Sequence, residues 1–117
     1  MSSTKAVGVD ELIEYIKMRF QKFFPGYLPV FNHLFEVKYG LDPLIVFLKD
    51  SSIFYETLKE YYDSSETALF IVIFIIKSIL IKLNRLDLIE EAVKKAVNNS
   101  IEFKRLLKNL GIDLMER

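Results

Sequence analysis

The stretch ALFIVIFIIKSILIKL, residues 68–83, decides the fold, because its only polar side chains are Lys77, Ser78 and Lys82. A helix that spans a bilayer needs about 20 consecutive apolar residues. The uninterrupted apolar part here, residues 68–76, is less than half of that length. Lys77 follows inside the run, where a charge would cost about 2.5–3.5 kcal/mol on insertion into a membrane. The sequence therefore predicts no transmembrane segment and a cytoplasmic protein.

The same stretch must be either a helix or a strand. Its many β-branched residues favour a strand, but the run is far longer than an ordinary strand. Ser64, Ser65 and Glu66 precede it, which is typical of a helix N-cap and an acidic first turn. We predict a helix over residues 66–83. Such a helix is apolar around most of its circumference, so other elements must surround it, as the core of a bundle or as an interface.

Length and composition limit the class of protein. The chain has 117 residues, of which 51% are hydrophobic, so we predict one folded domain over residues 9–117 after a flexible terminus at 1–8. The absence of cysteine excludes disulfides, thiolate nucleophiles and cysteine-bound zinc. Sixteen basic and sixteen acidic side chains cancel, so there is no basic excess of the kind that general nucleic-acid binders carry. The residue usage, with one glutamine, is thermophile-like.

Short breaks divide the chain into helices. The clearest is Asp42-Pro43, because aspartate is a favoured N-cap and proline is tolerated at the first helical position. Gly40 and Asn84 are suited to end helices in a left-handed conformation. No alternation of period two is long enough to require a sheet. We therefore predict an all-α fold, a compact bundle of six to seven helices around the central one, over residues 9–24, 29–39, 44–49, 53–62, 66–83, 86–98 and 101–109.

Motifs for catalysis are missing from the sequence. His33, the only histidine, forms a His-x-x-Glu pair with Glu36, but a metal site needs further ligands at matching spacing. Serines such as Ser51, Ser52 and Ser100 stand where helix caps are expected, and the four glycines are isolated. We predict no enzyme activity, no catalytic or metal site and no cofactor.

Aromatic residues give the main functional hint. Ten phenylalanines and six tyrosines are difficult to bury completely in so short a chain, although aromatic stripes at helical spacing usually belong to a core. Tyrosine is also enriched at protein interfaces. We predict a partner-facing patch that binds another protein or a second copy in a homodimer. Its candidate residues are Tyr15, Tyr27, Tyr55, Tyr62 and Phe74.

Two alternatives remain open at this level. A nucleic-acid-associated regulator, the less favoured class of partner, would use basic residues of the last two helices as phosphate contacts. Acidic residues interrupt this surface, and a solvated charged face explains it equally well. The second alternative is a carrier of a small apolar ligand or lipid, with a cavity lined by Phe70, Phe74 and rings of the first helix. The candidate phosphate contacts are Lys94, Lys95, Lys104, Arg105 and Lys108.

One part of the sequence resembles a known group of proteins. The segments GLDP at residues 40–43, FLKD at 47–50 and IFY at 53–55, followed by Leu58, are similar to short helical output domains of archaeal signalling and regulatory proteins. The resemblance covers roughly residues 28–110. It implies a stand-alone regulatory module of archaeal type and transfers no catalytic residue. The residues and the resemblance together predict a small non-enzymatic regulatory or protein–protein interaction module.

Overall fold

Seven α-helices follow one another in the computed structural model, which describes residues 6–114. A single turn of 3₁₀-helix, Leu86–Leu88, lies between the fifth and sixth helices. The all-α prediction is confirmed. The helices are α1 (Val9–Phe23), α2 (Tyr27–Tyr39), α3 (Pro43–Lys49), α4 (Ser51–Tyr62), α5 (Ser65–Leu83), α6 (Ile89–Asn98) and α7 (Ser100–Asn109).

Helix α5 lies at the centre and packs against α1, α4 and α6. Ile71, Ile75 and Ile79 have no exposed surface, so the apolar run faces its neighbours around most of the helix. The buried hydroxyl of Ser78 donates to the carbonyl oxygen of Phe74 at 2.9 Å, which satisfies this polar group within its own helix. Lys77, in contrast, is exposed. Within residues 6–114 no helix combines the length and the hydropathy needed to cross a membrane.

The helix ends follow the capping residues closely. Asp42 accepts the backbone N–H of Leu44 at 2.8 Å, and Pro43 occupies the first position of α3. The other carboxylate oxygen of Asp42 pairs with Lys17 of α1. Gly40 and Asn84 end α2 and α5 with φ angles of +66° and +59°. These features agree with the sequence expectations, and the Asp42 carboxylate also joins α3 to α1.

Ser51 and Ser52, which the sequence predicts as helix caps, instead form hydrogen bonds to another helix. Helix α4 begins at Ser51, two residues before the predicted start, and Asp50 caps it by accepting the N–H of Ile53 at 3.2 Å. The hydroxyl of Ser51 donates to the carbonyl of Ala96 at 2.7 Å, and that of Ser52 lies 3.2 Å from the carbonyl oxygen of Val97. The last carbonyls of α6 have no partner within their own helix. The serines supply donors from another helix, which the local sequence did not reveal.

A column of buried rings connects five helices. Phe54 on α4 lies at its middle, with ring centroids 6.5 Å from Phe31 and 5.2 Å from Phe47. Offset and edge-to-face ring pairs add about 0.5–1.5 kcal/mol beyond the area that they bury. The column holds α1, α2, α4, α3 and α7 together, and its rings in order are Phe20, Phe31, Phe54, Phe47 and Phe103.

A short parallel pairing joins the two ends of the described chain. Strand β1 (Val7–Gly8) lies beside β2 (Ile112–Asp113), and the N–H of Val7 donates to the carbonyl of Gly111 at 2.8 Å. Ile112 is buried. Of the segment 1–8 expected to be flexible, residues 1–5 lie outside the described residues, and residues 7–8 form this pairing. The sequence did not predict it, because each strand is only two residues long.

The two roles of Asp42 can be separated by mutation. We expect Asp42→Ala to lower the free energy of unfolding by about 1 kcal/mol for the cap and by up to about 1 kcal/mol for the ion pair. Asp42→Asn keeps a capping oxygen and should lose only the ion-pair part. Asp50→Ala, at a cap without an ion pair in the described part of the chain, is the matched control. Urea unfolding measures all three, and equal losses in Asp42→Asn and Asp42→Ala would contradict the assignment of a cap.

Candidate interaction face

Exposed apolar side chains gather on the outward side of α1 and α5. The two helices run antiparallel, since Glu11 pairs with Lys82 at 3.2 Å near one end and the rings of Phe23 and Phe74 lie 6.3 Å apart near the other. Soluble proteins seldom leave large contiguous apolar patches without a function. We call this surface the α1/α5 face, and its exposed apolar residues are Phe23 (51% exposed), Phe70 (45%) and Ile81 (38%).

Between the helices the face contains a groove walled by aromatic rings. Phe24 forms edge-to-face pairs with Phe70 at 5.3 Å and with Phe74 at 5.1 Å. Phe74 is buried and forms the floor, whereas Phe23 and Phe70 are half-exposed. Because the rings pack against one another, the walls are held in place without a ligand. This aromatic groove has a volume of about 260 Å³ and is lined by Arg19, Phe23, Phe24, Phe70, Ile73, Phe74 and Lys77.

The polar groups of the groove are cationic. The guanidinium carbon of Arg19 lies 5.2 Å from the ring centres of both Phe23 and Phe74, a cation–π arrangement. The Nε of Arg19 is buried and has no hydrogen-bond partner in the described structure. Lys77 has no ion pair within residues 6–114. No lining residue is acidic, so the groove has positive charge without a countercharge.

The structure does not gather the predicted aromatic residues into one patch. Tyr55 and Phe74 are buried, with 9% and 8% of their surface exposed, so they belong to the core rather than to a free surface. Tyr27 and Tyr62 meet at 6.4 Å, at the edge of the ring column. Tyr15 lies apart on α1, with the ammonium of Lys82 5.0 Å from its ring centre.

Sequence reasoning did not identify Met18, Phe23 or Ile81 as surface residues. A signal was present for Met18, which lies four residues from both Glu14 and Lys22 and so shares the polar side of α1 with them. Phe70 and Phe74 were expected to line a cavity with rings of the first helix. The structure does bring these rings together, but around an open groove rather than an enclosed cavity.

Two of the five candidate phosphate contacts are paired with carboxylates. Lys95 pairs with Glu91 at 2.8 Å, and Arg105 pairs with Glu102. Both pairs follow the helical spacing that brings side chains together on one face. The other three, which are exposed and have no ion pair within residues 6–114, are Lys94, Lys104 and Lys108.

His33 lies on the surface of α2 beside an apolar depression that also contains Val37 and Tyr61. Among residues 6–114 no three histidine, aspartate or glutamate side chains come close enough to hold a metal ion. Val37, which lines the same depression, is 72% exposed.

Comparison of the chain with protein-family models, curated proteins and solved structures gave no match. The resemblance to archaeal output domains therefore stays a prediction. The class that the structure defines is an all-α bundle with an exposed aromatic face, and a functional proposal has to rest on the geometry of that face.

Tyr62 is the tyrosine whose ionisation the fold affects most clearly. Its partial burial raises the pKa of the phenol above the usual value of 10.0, and the neighbouring Tyr27 and Tyr61 raise it further. The folded protein therefore holds this proton more tightly than the unfolded chain does. The protonated Tyr62 contributes to the free energy of unfolding below pH 10, and this contribution is lost as the pH rises through the pKa of the folded state.

We expect Tyr62→Phe to reduce the alkaline loss of stability. Phenylalanine cannot ionise, so the melting temperature of this variant should fall less steeply than that of the wild type between about pH 9 and pH 11. At pH 7, where the tyrosine is neutral, the two proteins should melt at similar temperatures. Thermal unfolding followed by circular dichroism makes the comparison. Parallel slopes above pH 9 would show that the Tyr62 phenol does not contribute.

Proposed function

We propose that this protein is a small non-enzymatic regulatory module that acts by binding another protein on its α1/α5 face. The observation that supports this is the exposure of Phe23, Phe70 and Ile81, all at least 38% exposed, on two adjacent helices. Leaving three large apolar side chains in water is unfavourable, by about 25 cal/mol for each Å² that a partner could cover. A partner that covers the face would remove this cost.

The size of the surface favours a protein partner over a small ligand. Ligand pockets usually enclose about 300–1,000 Å³ and bury most of the ligand, whereas the aromatic groove measures about 260 Å³ and two of its rings stand half-exposed. The exposed row on α5 runs from Phe70 to Ile81, eleven residues or about 16 Å along the helix axis. A partner helix of three turns matches that length. This argues against the lipid-carrier alternative.

Site-specific crosslinking tests the proposal directly. A photo-crosslinking amino acid placed at position 70 in the full chain, in its native cells, should give an adduct of defined mass. The same residue at position 101 is the control, because Ile101 is 68% exposed on α7, outside the α1/α5 face. Phe23→Glu, at a half-exposed residue that lines the same groove as Phe70, should remove the adduct at position 70. Equal adducts at both positions, or none at position 70, would contradict the proposal.

Light scattering on a sizing column, over a range of protein concentrations, separates a second copy from a different partner. If the partner is a second copy, the wild type should be a dimer and Phe70→Glu a monomer, while Ile101→Glu should remain a dimer. If the partner is another protein, all three should be monomers while the crosslink at position 70 persists. A dimer that both variants leave intact would place self-association elsewhere on the protein.

A further inference from the structure

The aromatic groove contains an arginine that the fold alone does not explain. The Arg19 side chain lies over two rings, and its Nε is buried with no hydrogen-bond acceptor within residues 6–114. It is the one buried side-chain nitrogen or oxygen in the described chain without such a partner. Buried donors are nearly always paired, and one left unpaired in a native protein needs an explanation.

The charged side chains that line the aromatic groove, Arg19 and Lys77, are both cationic. Lys77 is exposed on α5 and Lys22 lies 5.6 Å over the ring of Phe23. The nearest carboxylates along the two helices, Glu14 and Glu66, lie outside the groove lining. Guanidinium groups recognise carboxylates through paired charge-assisted hydrogen bonds. The surface therefore combines apolar rings with cations that an anionic partner would neutralise.

We propose that the partner segment is an acidic amphipathic helix of another protein, seated along the aromatic groove. This rests on the proposed function of the α1/α5 face. The apolar side of the helix, about three turns long, covers Phe23, Phe70 and Ile81. Its carboxylates reach Lys77 and the exposed part of the Arg19 side chain, which is half-buried although its Nε is enclosed.

A second copy of this chain fits the surface less well. Glu11, which lies on α1 about two turns before Arg19, is already paired with Lys82. In a two-fold symmetric contact between two copies, a residue near the symmetry axis faces the same residue of the other copy. The clustered cations of the face would then oppose one another, and like charges in an interface are unfavourable.

Two synthetic peptides of 14 residues test the inference. The first has leucine at positions i, i+3, i+4 and i+7 with glutamate at the flanking positions, and the second replaces each glutamate with lysine. Fluorescence anisotropy on the full chain should show that the acidic peptide binds at least about tenfold more tightly than the lysine peptide. The affinity of the acidic peptide should fall at high salt. Amide chemical shifts should change along α1 and α5.

Variants of the protein identify the cations. Lys77→Gln is at an exposed position where the fold should tolerate it. This substitution should lower the affinity for the acidic peptide about fivefold to tenfold. Arg19→Gln should lower this affinity at least as much. The melting temperature of the Arg19→Gln protein must also be measured, because its cation–π contacts are lost. Lys108→Gln, at an exposed lysine on α7, should bind like the wild type.

Several results would overturn the inference. Equal affinity for the two peptides would mean that only apolar contact matters, and binding of neither would exclude an acidic helix. Binding to phosphatidylglycerol vesicles but to neither peptide would assign the cations to a membrane surface. The crosslink at position 70 is independent of these outcomes. If that crosslink is found and the acidic peptide fails, the face binds a protein of different chemistry; if the crosslink is absent as well, the proposed function also fails.

Discussion

The rest of the structure depends on enclosing α5. A helix that is apolar around most of its circumference is stable in water only when other elements cover it, and here α1, α4 and α6 do so. Ile71, Ile75 and Ile79 reach zero exposure in this arrangement. These helices, however, do not cover α5 completely. The stripe that contains Phe70, Lys77 and Ile81 stays uncovered, and the candidate interaction face lies along this stripe.

The core and the candidate site share their aromatic rings. The ring centroid of Phe20, at one end of the buried column, lies 4.7 Å from that of Phe74, which forms the floor of the aromatic groove. A well-packed interior resists rearrangement, so the groove has a fixed shape before any partner arrives. Fixed side chains lose less conformational entropy on binding. A substitution at Phe74 would disturb both the fold and the groove, and for that reason the exposed Phe70 is the better position for testing binding.

Local signals in the sequence predicted much of the fold and little of the site. Asp42-Pro43 placed the start of α3, and Asn84 the end of α5, because capping depends on residues within one turn of the helix end. Val37 shows the weakness of the same approach for burial. It is an apolar residue in a helix with an apolar face, yet it is 72% exposed. Whether an apolar residue is covered depends on where the next helix crosses, and no local pattern contains that information.

The sequence by itself determined an all-α chain, its helix boundaries to within about three residues, and the need for other elements to cover the apolar helix. These follow from periodicity and capping, which act over one or two helical turns. The tertiary structure decided which aromatic residues are free. It buried Tyr55 and Phe74, and it brought Arg19 and Lys77, 58 positions apart in the sequence, to one groove. Residues so far apart meet only through the antiparallel packing of α1 on α5.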